Sequence, residues 1–194
     1  CNISNSIVNN VTIQGSDILN NSLLQLMWVF NTAFSNINSS NNYWGIDLDS
    51  SNTNNTFTNI TVNSNLFYGI IITSSNNTLT NITANSNGQY GIAISGNSKN
   101  NNITNSILQE NRVSDIFIDN SAAVNCNNYI TNITGSGGRA IEFYNSSVNI
   151  QNKVLSELIL CNASNSIVNN VTIQGSNSLL NNYLYLTYTN NTII

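Results

Sequence analysis

The chain has 194 residues, of which 45 are Asn and 88 are Asn, Ser or Thr; Pro and His are absent, twelve residues carry formal charge and the net charge is -4. Four basic residues, Lys99, Arg112, Arg139 and Lys153, cannot neutralise a run of phosphates, which excludes nucleic acid as a partner. The longest apolar stretch, Leu23 to Phe30, is broken by Gln25 and is far short of the roughly 20 residues of a membrane-spanning helix.

Cys1 to Ser16 return at Cys161 to Ser176 with one change, Ile3 to Ala163. Leu24, Leu26, Asn31 and Thr32 recur as Leu184, Leu186, Asn191 and Thr192. The spacing predicts one complete unit over 1–160 and the beginning of a tandem copy over 161–194. Disordered chains lack regularly spaced apolar residues, whereas 40% of this chain is hydrophobic, so order is expected.

Inside the long period lies a shorter one. In chain order the alternating triplets are Leu24-Gln25-Leu26, Ile46-Asp47-Leu48, Ile70-Ile71-Ile72, Ile92-Ala93-Ile94, Ile116-Phe117-Ile118, Ile141-Glu142-Phe143, Leu158-Ile159-Leu160 and Leu184-Tyr185-Leu186. Their steps of 22, 24, 22, 24, 25, 17 and 26 residues close on 160. A second series, Val8, Phe34, Phe57, Leu79, Ile103, Ile130, Val148 and Val168, closes on the same total. Apolar residues at i and i+2 are a strand signature, because successive side chains point to opposite faces. Two such strands per coil predict an all-β chain: a parallel β-helix solenoid of about seven coils per 160-residue unit, ~34 Å long at ~4.8 Å per coil.

The abundant Asn fits that fold, since Asn tolerates left-handed turns and can stack in amide ladders. Asn10, Asn36, Asn59, Asn81, Asn132 and Asn170 all stand two residues after the second-series residue and are expected to stack. At the junction, Leu155 to Ser166, there is no Pro and no Gly. Direct stacking of the next unit is the expectation there, with a small capping helix over Lys153 to Leu160 as the alternative.

Asn54 to Ser98 carries the clearest internal copy, NNTFTNITVNSNLFYGIIITSS followed by NNTLTNITANSNGQYGIAISGNS. It resembles the Asn-rich right-handed parallel β-helix repeats of archaeal and bacterial surface proteins. The resemblance implies a right-handed solenoid and a cell-surface or extracellular place, and it identifies architecture better than activity. That broad family includes carbohydrate-active enzymes, a copper-site maturation group, adhesins and envelope proteins. With no His and only Met27 as a thioether, copper ligands are lacking.

Candidate sites are few. Asp47 and Asp49 share an outward face, but the matching positions on adjacent coils are Gln25, Met27, Ile71 and Thr73, so no carboxylate pair or metal cluster is expected. Fourteen N-x-S/T sequons occur; the candidates for N-glycans are Asn38 and Asn145, expected in turns, with Asn2, Asn102 and Asn162. Cys1 and Cys161 are the same repeat position, leaving Cys126 as the second cysteine of the unit. Either Cys126 and Cys161 form a bridge, or both are buried thiols, because they lie more than one coil apart and a disulfide needs Cα atoms within about 7 Å. Trp44, Tyr68 and Tyr90 each precede a Gly and are expected to stack as a turn-filling ladder. Outward Ile71, Phe117, Tyr144 and Tyr185 are candidates for lateral contact between rods.

The expected function is structural: an extracellular filament or surface layer of stacked β-helical units, without catalysis or cofactor, whose partner is itself, with N-glycans as a further modification. The alternative is a glycan-binding adhesin module, and a polysaccharide lyase or hydrolase has less support.

Overall fold

The computed structural model describes residues 3–15 and 23–194; Cys1, Asn2 and Asp17 lie outside them. In chain order the strands are β1 (Ile3–Ser4), β2 (Ile7–Ile13), β3 (Leu24–Leu26), β4 (Val29–Phe30), β5 (Ala33–Ser39), β6 (Ile46–Leu48), β7 (Thr56–Thr61), β8 (Tyr68–Ile72) and β9 (Thr78–Thr83). They continue as β10 (Tyr90–Ile94), β11 (Asn102–Ile107), β12 (Ser114–Ile118), β13 (Tyr129–Thr134), β14 (Ala140–Tyr144), β15 (Asn149–Leu155), β16 (Glu157–Cys161), β17 (Ile167–Ile173) and β18 (Tyr183–Thr187). Two short 3-10 turns, Ala123–Cys126 and Ser136–Gly138, complete the list among the described residues. The whole is a β-solenoid of about seven turns with mostly parallel pairing.

Through the first five coils the two apolar series do what alternation requires. Leu24, Ile46, Ile70, Ile92 and Ile116 lie opposite one another along the sheet β3-β6-β8-β10-β12. Val8, Phe34, Phe57, Leu79, Ile103 and Ile130 do so along β2-β5-β7-β9-β11-β13. The inward residues of both sheets make one core: Ile46, Leu48, Phe57, Ile70, Leu79, Ile92, Ile103 and Ile116 are all fully buried.

Buried Asn side chains tie the turns between coils. Asn42, Asn65 and Asn87 each donate a backbone N–H to the amide oxygen of the Asn one coil further on, Asn65, Asn87 and Asn111. A second column runs Asn55, Asn77, Asn101, Asn128 in the same way. These amides occupy backbone donors that no strand could serve. On the surface a third column links Asn36 to Asn9, Asn59 to Asn36 and Asn81 to Asn59 through their amides. Asn10, Asn36, Asn59, Asn81, Asn132 and Asn170 all have positive φ, the left-handed conformation that a short polar side chain tolerates.

After β13 the series stop describing one continuous stack. Gly135 to Arg139 closes a tight loop, with Gly137 and Gly138 at φ 68° and 72°, and β14 runs back antiparallel along β13 through Ile133 opposite Ile141. Ile141 therefore does not continue onto Ile116. Its strand is followed by β16 and β18 in the nine-stranded sheet, order β18-β16-β14-β13-β11-β9-β7-β5-β2, while β15 and β17 form a sheet of their own. The triplet series has changed sheet.

That reversal corrects two sequence expectations. Ile141 lies opposite Glu157 and Glu142 opposite Leu158, a slip of one residue from the alignment of triplets, and a one-residue slip turns side chains to the other face. Leu158 and Leu160 accordingly belong to a second core with Ile150, Leu155, Ala163 and Val168, whereas Ile159 and Cys161 face the first. Val148 is not a rung either: Ile150 lies opposite Val168. Over Lys153 to Leu160 the chain forms the end of β15 and the start of β16, parted by a bend at Ser156, rather than a capping helix.

Candidate functional site

The reversal is where unusual chemistry gathers. β13 and β14 pair at only two positions next to the loop, Ile133 with Ile141 and Thr134 with Ala140, and then splay. The cleft between them has a volume of about 580 Å³ and is lined by residues including Ile130, Thr131, Asn132, Glu142, Phe143 and Tyr144. The Tyr144 hydroxyl donates to Glu142 Oε2 at 2.9 Å and Lys153 Nζ donates to Glu142 Oε1. Burial, followed by the hydrogen bond to Glu142, raises the Tyr144 phenol, and the bond to Glu142 raises the Lys153 ammonium. The Glu142 carboxyl is thus hydrogen-bonded by a phenol on one oxygen and by a lysine amine on the other. Such a row can hydrogen-bond a hydroxylated ligand.

At the fold-back two buried acids, to which the sequence reading assigned no function, lie against Ile141 and Ser136. Glu157 accepts the backbone N–H of Asp115 at 2.6 Å and of Ile116 at 3.1 Å, so its carboxyl serves donors on the outer edge of β12. Asp115 accepts from the Asn111 amide and from Ser136 N. Desolvation raises both, Glu157 well above the ordinary glutamate value, with Asp115 as its second cause. A signal was present: the residue before each triplet is Gly45, Gly69 and Gly91, and then Asp115 and, two triplets on, Glu157. An acid replacing a glycine in such a column marks a coil with a different neighbour.

Cys126 and Cys161 are joined in a disulfide with Cα atoms 5.2 Å apart. The objection from coil distance assumed a continuous stack. Because the chain folds back at β14, β16 returns beside the coil that carries Cys126.

The glycan candidates fall in different settings. Asn38 is exposed but lies within β5, not in a turn, and accepts the Ser40 hydroxyl at 2.6 Å. Asn145 is exposed in the bend after β14 and donates to Asn128 O at 3.3 Å. Asn162 is exposed with φ 60°. Asn102 is half-buried in β11, its amide oxygen buried without a partner, and Asn2 lies outside the described residues. The lateral candidates are all half-buried and divide between two sheets. Ile71 and Phe117 flank Ala93, with the Phe117 ring stacked on Tyr90 at 4.6 Å. Tyr144 and Tyr185 lie in the nine-stranded sheet and do not point outward as expected: the one-residue slip packs Tyr144 against the second core and Tyr185 against the first, where it also stacks on Tyr183 at 5.1 Å.

Trp44, Tyr68 and Tyr90 do form a column, with centroids 5.8 and 5.6 Å apart. Asp47 accepts from Gln25 and Asp49 accepts from Ser50 and Ser51. Among the described residues no three of His, Cys, Asp and Glu come together in a way that could hold a metal ion, and no helix is long and apolar enough to cross a membrane.

No family model matches the chain, and no curated protein does. Among solved structures the chain is similar to the crystal structure of the periplasmic alginate epimerase AlgG, with a TM-score of 0.46 and 16% identity over 96% of this chain and 39% of that one. The chain thus spans well under half the length of that protein. That protein is by name an enzyme, so the expectation of a chain without catalysis gains no support from the comparison. At this distance the likeness assigns no role to any residue here.

Proposed function

We propose that this chain is a structural module, a β-helical unit of 160 residues that stacks on its own copies in an extracellular filament or surface layer of the Asn-rich β-helix type. One observation carries the reading: the hydrogen bonds that open the first unit recur 160 residues later. Asn5 N donates to Phe30 O at 3.2 Å and Asn165 N to Asn190 O at 2.8 Å; Ala33 N donates to Ser6 O and Ile193 N to Ser166 O, both at 3.0 Å. The ladders β15–β17 and β16–β18 cross residue 160 with no linker between. A unit that begins by pairing with the one before it is a unit made to be repeated. The disulfide supports an oxidising compartment, and the exposed Asn145 and Asn162 support glycans on the outside of the rod.

Electron microscopy of a chain carrying several units tests this. Stiff rods whose length grows by a constant increment per unit are expected. Separate globules joined by flexible segments would sink the proposal.

A second reading, binding of a hydroxylated ligand such as a saccharide, is favoured by the cleft lined by Glu142 and Tyr144, with Lys153 hydrogen-bonded to Glu142. Calorimetry against oligosaccharide panels should show saturable heat that Tyr144→Phe weakens. Heat unchanged by that substitution removes the cleft as the site.

A further inference from the structure

The cleft between β13 and β14 opens because the two strands bend differently. Each second-series strand turns at a left-handed Asn: Asn36, Asn59, Asn81, Asn105 and Asn132 have φ of 54°, 57°, 56°, 53° and 54°. Parallel neighbours share the bend and stay paired on both sides of it. β14 runs antiparallel and has no positive φ over Ala140–Tyr144. It therefore follows β13 only as far as Ile141 opposite Ile133.

Alternation along each strand shows which backbone groups the parting leaves without a neighbour. Tyr129 N donates to Asn101 O on the preceding coil, so the N–H and C=O of Ile130 point the other way, into the cleft. On the opposite wall Gly135 N donates to Arg139 O and Ser156 N to Ala140 O, so Ile141 and Phe143 turn their backbone groups toward β13. Ile141 meets Ile133 there. Among the described residues no backbone or side-chain group is bonded to the cleft-facing N–H and C=O of Ile130 and Phe143.

The opening is bounded at both ends. Beyond the pair Ile133 and Ile141 it runs to Asn145, whose Nδ2 donates across it to Asn128 O at 3.3 Å. The wall from Glu142 to Tyr144 is only ~10 Å long at ~3.3 Å per residue, shorter than an ordinary strand of roughly five or six residues. One amide of the chain itself thus already spans the gap. Ile130, Ile133 and Ile141, at 5%, 3% and 3% exposure, give the cleft an apolar lining, and Glu142 and Tyr144 line it as well. Its volume of about 580 Å³ lies in the range of small-molecule sites.

We propose that this cleft binds an N-acetylated saccharide, with the acetamido group seated between the backbones of Ile130 and Phe143. A trans amide points its N–H and C=O in opposite directions, so a single group reaches both walls, as the peptide unit of an intervening strand would. Its C=O accepts from the N–H of one wall, its N–H donates to the C=O of the other, and its methyl meets the isoleucines. The sugar hydroxyls then lie beside Glu142 and Tyr144. This rests on the saccharide reading of the cleft given above and names the group by which the sugar is held. A uronic acid suits the cleft less, because the Glu142 carboxyl stands in it and Lys153 is already paired with that carboxyl.

Calorimetry with chitotriose, a trimer of N-acetylglucosamine, and cellotriose, the corresponding glucose trimer, tests the anchor. Chitotriose is expected to bind at least about tenfold more tightly, the worth of the two added hydrogen bonds. Tyr144→Phe should weaken both sugars by a similar factor and leave their ratio unchanged, since it removes a hydroxyl and neither wall. Hydrogen exchange followed by NMR reads the walls directly. The amides of Ile130 and Phe143 should exchange quickly in the free chain, and saturating chitotriose should slow one of them at least about tenfold while the amide of Ile133, already paired, hardly changes.

Equal affinity for the two sugars, with both weakened by Tyr144→Phe, overturns the acetamido anchor and leaves the saccharide reading standing. Binding of neither overturns the anchor, and the wider oligosaccharide panel then decides the reading beneath it. Amides of Ile130 and Phe143 that are protected in the free chain remove the unpaired walls and the proposal with them. Stronger protection of the same amides by an uncharged tetrapeptide than by chitotriose overturns the saccharide in favour of an extended peptide.

Discussion

At the scale of single residues the chain uses Asn again and again in the turns between coils. A buried Asn amide accepts one coil's backbone N–H while its own N–H donates onward, as Asn77 Oδ1 accepts from Asn55 N and Asn77 Nδ2 donates to Asn101 Oδ1, so one residue type repeated at coil spacing satisfies a whole column. Stacking was legible only for the surface series of Asn36, Asn59 and Asn81; the buried columns were not, because an Asn in a polar run looks the same whether it faces water or a neighbouring coil's backbone. Glu157 was not, because a lone acid before an apolar triplet reads as a solvated residue until the fold-back buries it. Its pKa is raised well above the ordinary value of 4.5, chiefly by desolvation, so the folded chain holds that proton more tightly than the unfolded chain. Stability from this group is present below the unfolded value and is lost as pH rises through the raised folded value. Glu157→Gln keeps the shape but turns an N–H toward one of two backbone donors, costing about 1–3 kcal/mol at low pH. Urea midpoints measured from pH 4 to pH 8 should fall with pH in the parent and run flatter in Glu157→Gln, closing the gap between them. Parallel slopes would show that Glu157 does not titrate as its burial requires.

Elements are set by how closely coils can approach. Gly45, Gly69 and Gly91 stand at the entries of β6, β8 and β10, and a Cβ on each would meet the carbonyl oxygen of the next coil's residue in the same column at 2.3, 2.5 and 2.7 Å. A backbone carbonyl cannot swing aside as a side chain can. Gly69→Ala must therefore spread two coils, and it is expected to cost about 3 kcal/mol, the upper range for overpacking. Gly138→Ala has open space around it but a φ of 72°, a strain of about 1–2 kcal/mol. Thermal unfolding of the two variants should rank them in that order; the reverse order would mean that the coils slide apart freely. The same column shows why strand prediction succeeded up to β12 and then lost register. Alternation reports which residues share a face, not which strand lies beside which. A loop as short as Gly135 to Arg139 can turn a coil into a hairpin without disturbing any triplet.

For the whole molecule that hairpin has a consequence for repetition. β2 lies in the nine-stranded sheet, and so does β18, the counterpart of β3 in the copy. One continuous sheet thus carries second-series strands before residue 160 and a triplet strand after it, so on the proposed division neighbouring units would share a sheet rather than merely abut. The weak point is the second core, only six buried side chains around Ile150, Leu155, Leu158, Leu160, Ala163 and Val168. It is joined to the first core by β16, whose alternate residues enter each, and by the disulfide from Cys126 to Cys161 across 35 residues. Closing a loop of that size contributes about 3–4 kcal/mol on the chain-entropy account. Reduction should remove that amount from the urea-derived stability and should do so unevenly. Amides of residues 149–173 are expected to exchange with deuterium well ahead of those of residues 68–94, whose strands have partners on both sides. In the oxidised chain the two sets should exchange closer together. If reduction accelerates both equally, the two cores unfold as one, and the shared sheet alone is strong enough to couple a unit to its neighbour.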